Sequence, residues 1–189
     1  MEIKINNLCK SFGGNTVFSD FCVTVPEGIT AIMAGSGIGK TTLLRILAGI
    51  DKSYGGDISG VGTVSYCPQE VLLFPWYSAR KNLKIVLLRE KDPDKLIEDG
   101  LYAFGLSEAA EKKPHEMSGG MCQRIAVLRA WLYPSDTVIL DEPFKGLDKD
   151  TKERVIDYLK RTRHPSRNVI FTTHSTEEAE IFADRVIRI

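Results

Sequence analysis

The sequence predicts an α/β protein built on a mainly parallel sheet. Three observations point there. Short β-rich runs alternate with segments of helical periodicity along much of the chain. One run, "ITAIMA", passes through a Gly-rich turn directly into the helical pattern of "TTLLRILAGI". Another, "DTVILDEP", is apolar until it ends in carboxylates, and the carboxyl ends of strands are where α/β sheets gather ligands.

The elements follow in order. "MEIKINNLCKSFGGNTVFSDFCVTVPEG" alternates apolar and polar residues, with turn signals at Gly13-Gly14 and Pro26-Glu27-Gly28, and reads as short antiparallel strands. After "ITAIMA", the helix carries Leu43, Leu44, Ile46 and Leu47. "DKSYGGDISGVG" is a Gly-rich connection, and "TVSYCPQ" is a strand stopped by Pro68. From about 76 to 117 the chain turns helical and charged, as an inserted lobe. "MSGGMCQRIAVLRAWLY" is a turn and a helix with Ile125, Leu128 and Leu132 on one face. The strand "DTVILDEP", the amphipathic surface helix "KDTKERVIDYLKRTR", the strand "NVIFTTHS", the helix "TEEAEIFADR" and a last strand "VIRI" complete the chain.

Composition narrows the function. With 189 residues, 43% of them hydrophobic, the chain can bury a core without disulfide staples. Lys+Arg is 25 and Asp+Glu is 25, so no broad basic surface for nucleic acid is expected. Cys9, Cys22, Cys67 and Cys122 form no Cys-x-x-Cys pair and, with three histidines, no zinc-like cluster. They are expected to be small core residues in a reducing compartment. The N-terminus lacks a basic-then-apolar signal, and no apolar run approaches the ~18 residues of a membrane helix. A soluble, cytoplasmic protein is expected, able to sit on a membrane through a partner.

The chemistry starts at "GSGIGKTT". Gly35, Gly37 and Gly39 allow a tight curl through positive φ, so that successive amides point at phosphate oxygens. The following helix adds its positive end. Lys40 would reach the β- and γ-phosphates, and Thr41 would offer its hydroxyl to Mg²⁺. The usual loop has Gly where this chain has Ala34; Gly35 next door is expected to supply the missing freedom. Asp141 and Glu142, adjacent on a strand, should point in different directions and take different tasks. Asp141 suits an outer-shell Mg²⁺ partner and Glu142 suits polarising an attacking water. "SGG" at 118–120 opens a helix, an anion site of its own.

The order of these pieces resembles the nucleotide-binding domain of an ABC ATPase. "MSGG" at 117–120 looks like the signature, "ILDEP" like Walker B, "KGLD" like the D-loop, Gln69 in "YCPQ" like the Q-loop glutamine, and His174 in "TTHS" like the switch histidine. The resemblance covers essentially the whole chain. Met117 and Met121 depart from the usual Leu and Gln of the signature. The resemblance implies a P-loop NTPase core with an N-terminal antiparallel β subdomain and an inserted helical lobe. Residues 1–75 and 134–189 would form the RecA-like core and 76–133 the helical lobe. It implies ATP and Mg²⁺ as ligands. Phe12 would stack on adenine, and Gly35, Ser36, Gly37, Ile38, Gly39, Lys40, Thr41 and Thr42 would wrap the phosphates. Thr41, Gln69 and Asp141 would serve the metal, the last through water. Glu142, His174, Gln69 and Lys40 would be catalytic, and Ser118, Gly119, Gly120 and Asp148 would contact ATP held by a second copy in a head-to-tail homodimer.

"EVLLFPWYSARKNL" resembles importer subunits, most of all the nitrate/sulfonate/taurine group. Leu73, Phe74, Trp76 and Tyr77 would form the groove for an integral membrane permease, with an external solute-binding protein as a further partner. The chain is thus expected to be an ATP-hydrolysing motor subunit on the inner face of the cell membrane. The competing reading is a soluble ABC ATPase acting on ribosomes or nucleic acid. A single cassette, the absence of sustained heptads and the neutral charge weigh against it.

Overall fold

The structure is a computed structural model that describes residues 1–35 and 37–189. Ser36, expected to bind phosphate, lies outside the described residues. Two compact units emerge: residues 1–66, 135–141 and 164–189, and residues 67–134 and 142–163. The second, helical unit starts before residue 76 and takes in 142–163, a stretch that the sequence had assigned to the core.

The first unit holds two sheets. β1 (Ile3–Phe12) pairs antiparallel with β2 (Asn15–Val25) and with β4 (Gly55–Ser59). The second sheet has the order β5-β6-β7-β3-β8, from β5 (Val64–Cys67), β6 (Thr137–Asp141), β7 (Asn168–Thr172), β3 (Ile29–Met33) and β8 (Arg185–Arg188). β3 runs parallel to β7 and β8, and β6 runs parallel to β7. β6 and β7 are buried at every position, as strands covered on both faces should be.

α1 (Lys40–Leu47) follows β3 and buries Leu43, Leu44, Ile46 and Leu47. These residues share one cluster with Ile3, Ile5 and Leu8 of β1 and with Ile32, Ile139 and Ile170 of the larger sheet. Each such burial contributes roughly 1.5–3 kcal/mol, so α1 is pinned directly after the glycine loop.

β1 departs from strict alternation. Asn7 adopts φ 50 at a register shift, and the burial pattern changes phase there. Ile3 and Ile5 point inward before the bulge; Leu8 and Lys10 point inward after it. Cys9 therefore faces outward, and Cys22 on β2 is exposed as well, so the expectation of four core cysteines is met only by Cys67 and Cys122.

The second unit is helical: α2 (Ala79–Lys84), α3 (Pro93–Ala103), α4 (Gly119–Leu132) and α5 (Lys149–Thr162), with 3₁₀ turns at Ser107–Ala109 and Pro114–Glu116. α6 (Thr176–Phe182) belongs to the first unit. α3 and α4 approach closely: a Cβ on Gly100 would lie 2.7 Å from Leu128. α4 buries Cys122, Ile125, Ala126, Val127, Leu128, Ala130 and Trp131, so it is enclosed well beyond the single face read from its sequence. α5 stands its Tyr158 ring edge-on to Phe104 at 6.0 Å and accepts a 2.9 Å hydrogen bond from Trp131 Nε1 at Thr162. Burial pushes the Tyr158 phenol up to about 12.

Candidate nucleotide site

In the first unit, three parallel strands end at one level. Asp141 of β6 stands beside Thr172 of β7, and Thr172 beside Ile32 of β3. The residues that follow, or the last ones themselves, are the chemically interesting ones: the glycine loop after β3, Asp141, and Thr173-His174 after β7.

The loop turns through Gly37 at φ 83 and Gly39 at φ 95. A Cβ on Gly39 would meet Val17 Cγ1 at 2.5 Å, so β2 packs against the loop and only glycine fits. Gly35 is not in the left-handed region, and it does not supply the freedom expected in place of Ala34. A Cβ there would instead press on Ile38 Cδ1 at 3.0 Å. Ala34 contributes a backbone group: Lys40 Nζ donates to its carbonyl at 2.7 Å and to that of Gly35 at 3.0 Å. Any residue offers that carbonyl, so Ala34 keeps this contact.

The N-terminus of α1 is unusual among the helices. Ser78, Asp92, Ser118, Asp148 and Ser175 each cap a helix with a side-chain acceptor. Among the described residues, α1 is the α-helix whose N-cap, Gly39, gives none, and its first turn holds no acid. Its leading amides therefore have no side-chain acceptor at the cap, beside a lysine ammonium. An anion satisfies that arrangement.

Thr41 Oγ1 donates to Asp141 Oδ2 at 3.1 Å, which ties α1 to β6. Thr172 Oγ1 donates to Asp141 Oδ1 at 2.6 Å. Asp141 is 4% exposed and has both oxygens engaged. Thr172 escaped sequence reasoning; the signal was a hydroxyl closing the otherwise apolar run "VIFT". His174 is exposed and lines a cleft of about 300 Å³ with Met33, Ala34, Gly35, Thr173, Arg188 and Ile189. Its neighbours are fixed: Thr173 Oγ1 donates to the buried Glu178 at 2.5 Å, and Ser175 N–H donates to Thr173 Oγ1 at 3.0 Å. Phe12 is 51% exposed, so it is not a core aromatic.

In the second unit, Glu142 holds φ 51, a left-handed conformation rare for a residue of its kind. β6 ends at Asp141, so Glu142 lies beyond the strand and strand alternation does not set its facing. Lys145 Nζ pairs with Glu142 Oε2 at 2.8 Å, and Gln69 Nε2 approaches the same oxygen at 3.5 Å. Ser118 Oγ accepts from Met121 N–H at 3.2 Å and keeps its own proton free to donate. A Cβ on Gly119 or Gly120 would meet nothing within 4 Å. Packing within the chain therefore does not require glycine at either position. Asp148 caps α5 by accepting from Thr151 N–H at 2.9 Å, which holds its carboxyl below the usual range.

Val71, Leu72, Phe74 and Trp76 are exposed, while Leu73 and Tyr77 are half-buried. The rings of Phe74, Trp76 and Tyr77 cluster with centroids 5.8–6.2 Å apart. Buried Asn82 staples this turn, accepting from Phe74 N–H and donating to the carbonyls of Phe74, Tyr77 and Ser78. Arg129 donates to the Leu72 carbonyl and to Asn82 Oδ1 and lies 5.6 Å from the Phe74 ring centre. Burial lowers its guanidinium pKa. Among the described residues, no helix is long and apolar enough to cross a membrane.

The family described as "ABC transporter" matches residues 19–145. The chain is 35% identical over 189 residues to the aliphatic sulfonates import ATP-binding protein SsuB 1 of Paracoccus denitrificans (strain Pd 1222), covering 98% of this chain and 78% of that protein. It is 33% identical over 208 residues to the sulfate/thiosulfate import ATP-binding protein CysA of Yersinia pseudotuberculosis serotype I (strain IP32953), covering 99% of this chain but 57% of that protein. A solved dimeric, post-hydrolysis ATP-binding cassette bound to ADP and Pi superposes with a TM-score of 0.85 at 24% identity, over 99% of this chain and 94% of that one. The ATP-binding subunit of an ABC transporter superposes at 0.89 with 21% identity, over 100% and 86%. These two likenesses fix the fold as that of an ABC ATPase cassette. With a family match over most of its length and relatives above 30% identity across nearly all of it, the chain belongs to the ABC transporter family.

Proposed function

We propose that the chain is the ATP-hydrolysing motor subunit of an ABC importer for a small solute, of the nitrate/sulfonate/taurine kind. The observation that carries this reading is the N-terminus of α1, which lacks a side-chain cap and stands beside Lys40 and the Thr41–Asp141 bond. The sulfonate import name of the relative at 35% identity supports the transport class. Import names among the relatives do not favour the ribosome or nucleic-acid alternative.

The roles follow from the chemistry of each group. The amides of Gly37, Ile38, Gly39, Lys40, Thr41 and Thr42, with the Lys40 ammonium, bind the phosphates and stabilise the charge that develops as the γ-phosphoryl group leaves. Phe12 is the platform for the base. Glu142 orients and polarises the attacking water, and His174 holds it against the γ-phosphate. Ser118 and the amides of Gly119 and Gly120, with Asp148, serve the nucleotide of a second copy in a head-to-tail dimer.

The donors suit Mg²⁺. Thr41 and Asp141 offer hard oxygens, and Gln69 an amide oxygen. Among the described residues, no group of three His, Cys, Asp or Glu could hold a metal by itself. That fits an ion that takes its remaining ligands from phosphate and water. When bound, Mg²⁺ neutralises charge on the β- and γ-phosphates. Leu73, Phe74, Trp76 and Tyr77 are the docking surface for the permease, which places the subunit on the cytoplasmic face of the membrane.

Lys40→Ala tests the site: ATP affinity should fall at least about a hundredfold, near 2.8 kcal/mol. Unchanged affinity would remove the loop assignment. Purification of the tagged chain from membranes tests the partner. An integral membrane protein should accompany it, and recovery of ribosomes without one would defeat the transport reading.

A further inference from the structure

One ion pair in the first unit, with its lysine buried, has no part in the roles above. The bulge at Asn7 turns Lys10 inward, and its side chain is 4% exposed. Its ammonium lies 2.9 and 2.8 Å from the two oxygens of Asp51 and 2.6 Å from the Ser53 carbonyl. It also lies 4.5 Å from the centre of the Phe12 ring. Asp51 is fixed in turn by Ser53 N–H at 3.0 Å. A solvent-facing lysine would adopt many rotamers; this one is held in a single place by three oxygens from the segment that follows α1. Lys10 and Phe12 are two residues apart on β1, across a register shift, and the ammonium stands over the Phe12 ring. The ring is thus gripped on one side by a fixed cation while remaining 51% exposed.

We propose that Lys10, locked by Asp51 and Ser53, is a positioning residue for nucleobase recognition: it fixes the Phe12 ring through its cation and leaves the free face ready to stack on a purine. The inference rests on the proposed role of Phe12. A flexible aromatic must lose its freedom when a base binds, whereas a ring already held loses little. The cation also draws π-density towards itself, which favours stacking of an electron-rich purine on the opposite face. The same lock links the base platform to the segment after the phosphate-loop helix, since Asp51 and Ser53 lie just beyond α1.

The experiment compares the affinities of ATP and inorganic triphosphate for the full chain and its variants. Lys10→Met keeps the aliphatic stem and removes the charge. It should weaken ATP about fivefold, raising KM and leaving kcat unchanged, with triphosphate affinity the same. Lys10→Arg should restore ATP binding to within about twofold, because a guanidinium keeps both the ion pair and the ring contact. Lys10→Met added to Phe12→Ala should cost nothing further. If Lys10→Met folds poorly, Lys10→Met/Asp51→Leu removes both charges together and should show the same selective loss. Equal weakening of ATP and triphosphate, or no weakening of ATP, would overturn the proposal, as would full additivity with Phe12→Ala. A Phe12→Ala variant with normal ATP affinity is a different failure: it removes the base-platform role itself, and the Lys10 role with it.

Discussion

Replacing Thr172 with valine tests the scaffold beneath the nucleotide site. Thr172 is fully buried, and its hydroxyl donates at 2.6 Å to Asp141, which is 4% exposed. Valine has nearly the same shape and suits a strand, so the change removes the hydroxyl that donates to Asp141 with little change in packing volume. A hydrogen bond to a charged group contributes about 1.5–3 kcal/mol. Asp141 keeps its bond from Thr41 at 3.1 Å, but Oδ1 loses its donor where water has little access. A net loss of about 2 kcal/mol is expected, and for a chain of this size that lowers Tm by roughly 4–8 °C. Thermal unfolding followed by circular dichroism reads it. Thr172→Ser is the control: it keeps the hydroxyl and loses a methyl, at about 1 kcal/mol. The reasoning is refuted if valine matches the wild type within about 0.5 kcal/mol, or if serine costs more than valine.

Three other outcomes are expected. Glu142→Gln should slow ATP turnover by at least about a hundredfold while favouring an ATP-bound dimer on size-exclusion chromatography; unchanged turnover removes Glu142 from its role. Ala34→Gly should change ATP affinity by less than about threefold, because position 34 acts through its carbonyl; a gain beyond about tenfold, near 1.4 kcal/mol, would mark Ala34 as an impairment. Acid should destabilise the chain: Asp51 beside Lys10, Asp136 with two bonds from Thr63, and Asp148 at the start of α5 all have carboxyls held below their usual range. Their contribution is present above the unfolded carboxylate pKa of about 3.9 and is lost as pH falls below it through the folded values. A Tm that stays flat between pH 5 and pH 3 would contradict this.

What the sequence disclosed was whatever is local or periodic. The buried set of α1 is the set of apolar residues named from its spacing, Leu43, Leu44, Ile46 and Leu47. The strand–loop–helix order read from "ITAIMA" and "TTLLRILAGI" is present as β3 and α1, and Asp141 stands at the strand end where it was expected. What escaped depends on distances through space or on a single torsion. Thr172 meets Asp141 across 31 positions of sequence, and Lys10 meets Asp51 across 41. The left-handed residue Asn7 shifts the phase of β1, so that Cys9 points out and Lys10 in. The φ of 51 at Glu142 has no signature in "ILDEP".

Lys40 resting on the carbonyls of Ala34 and Gly35 has a consequence for how the site is switched on. The ammonium is solvated by its own loop, so its charge braces the curl. An incoming phosphate must outbid two carbonyl dipoles, and binding becomes an exchange of partners in which the ammonium is never left bare. Part of the attraction between lysine and phosphate is then spent on that exchange. In return, the lysine ties the two ends of the curl together.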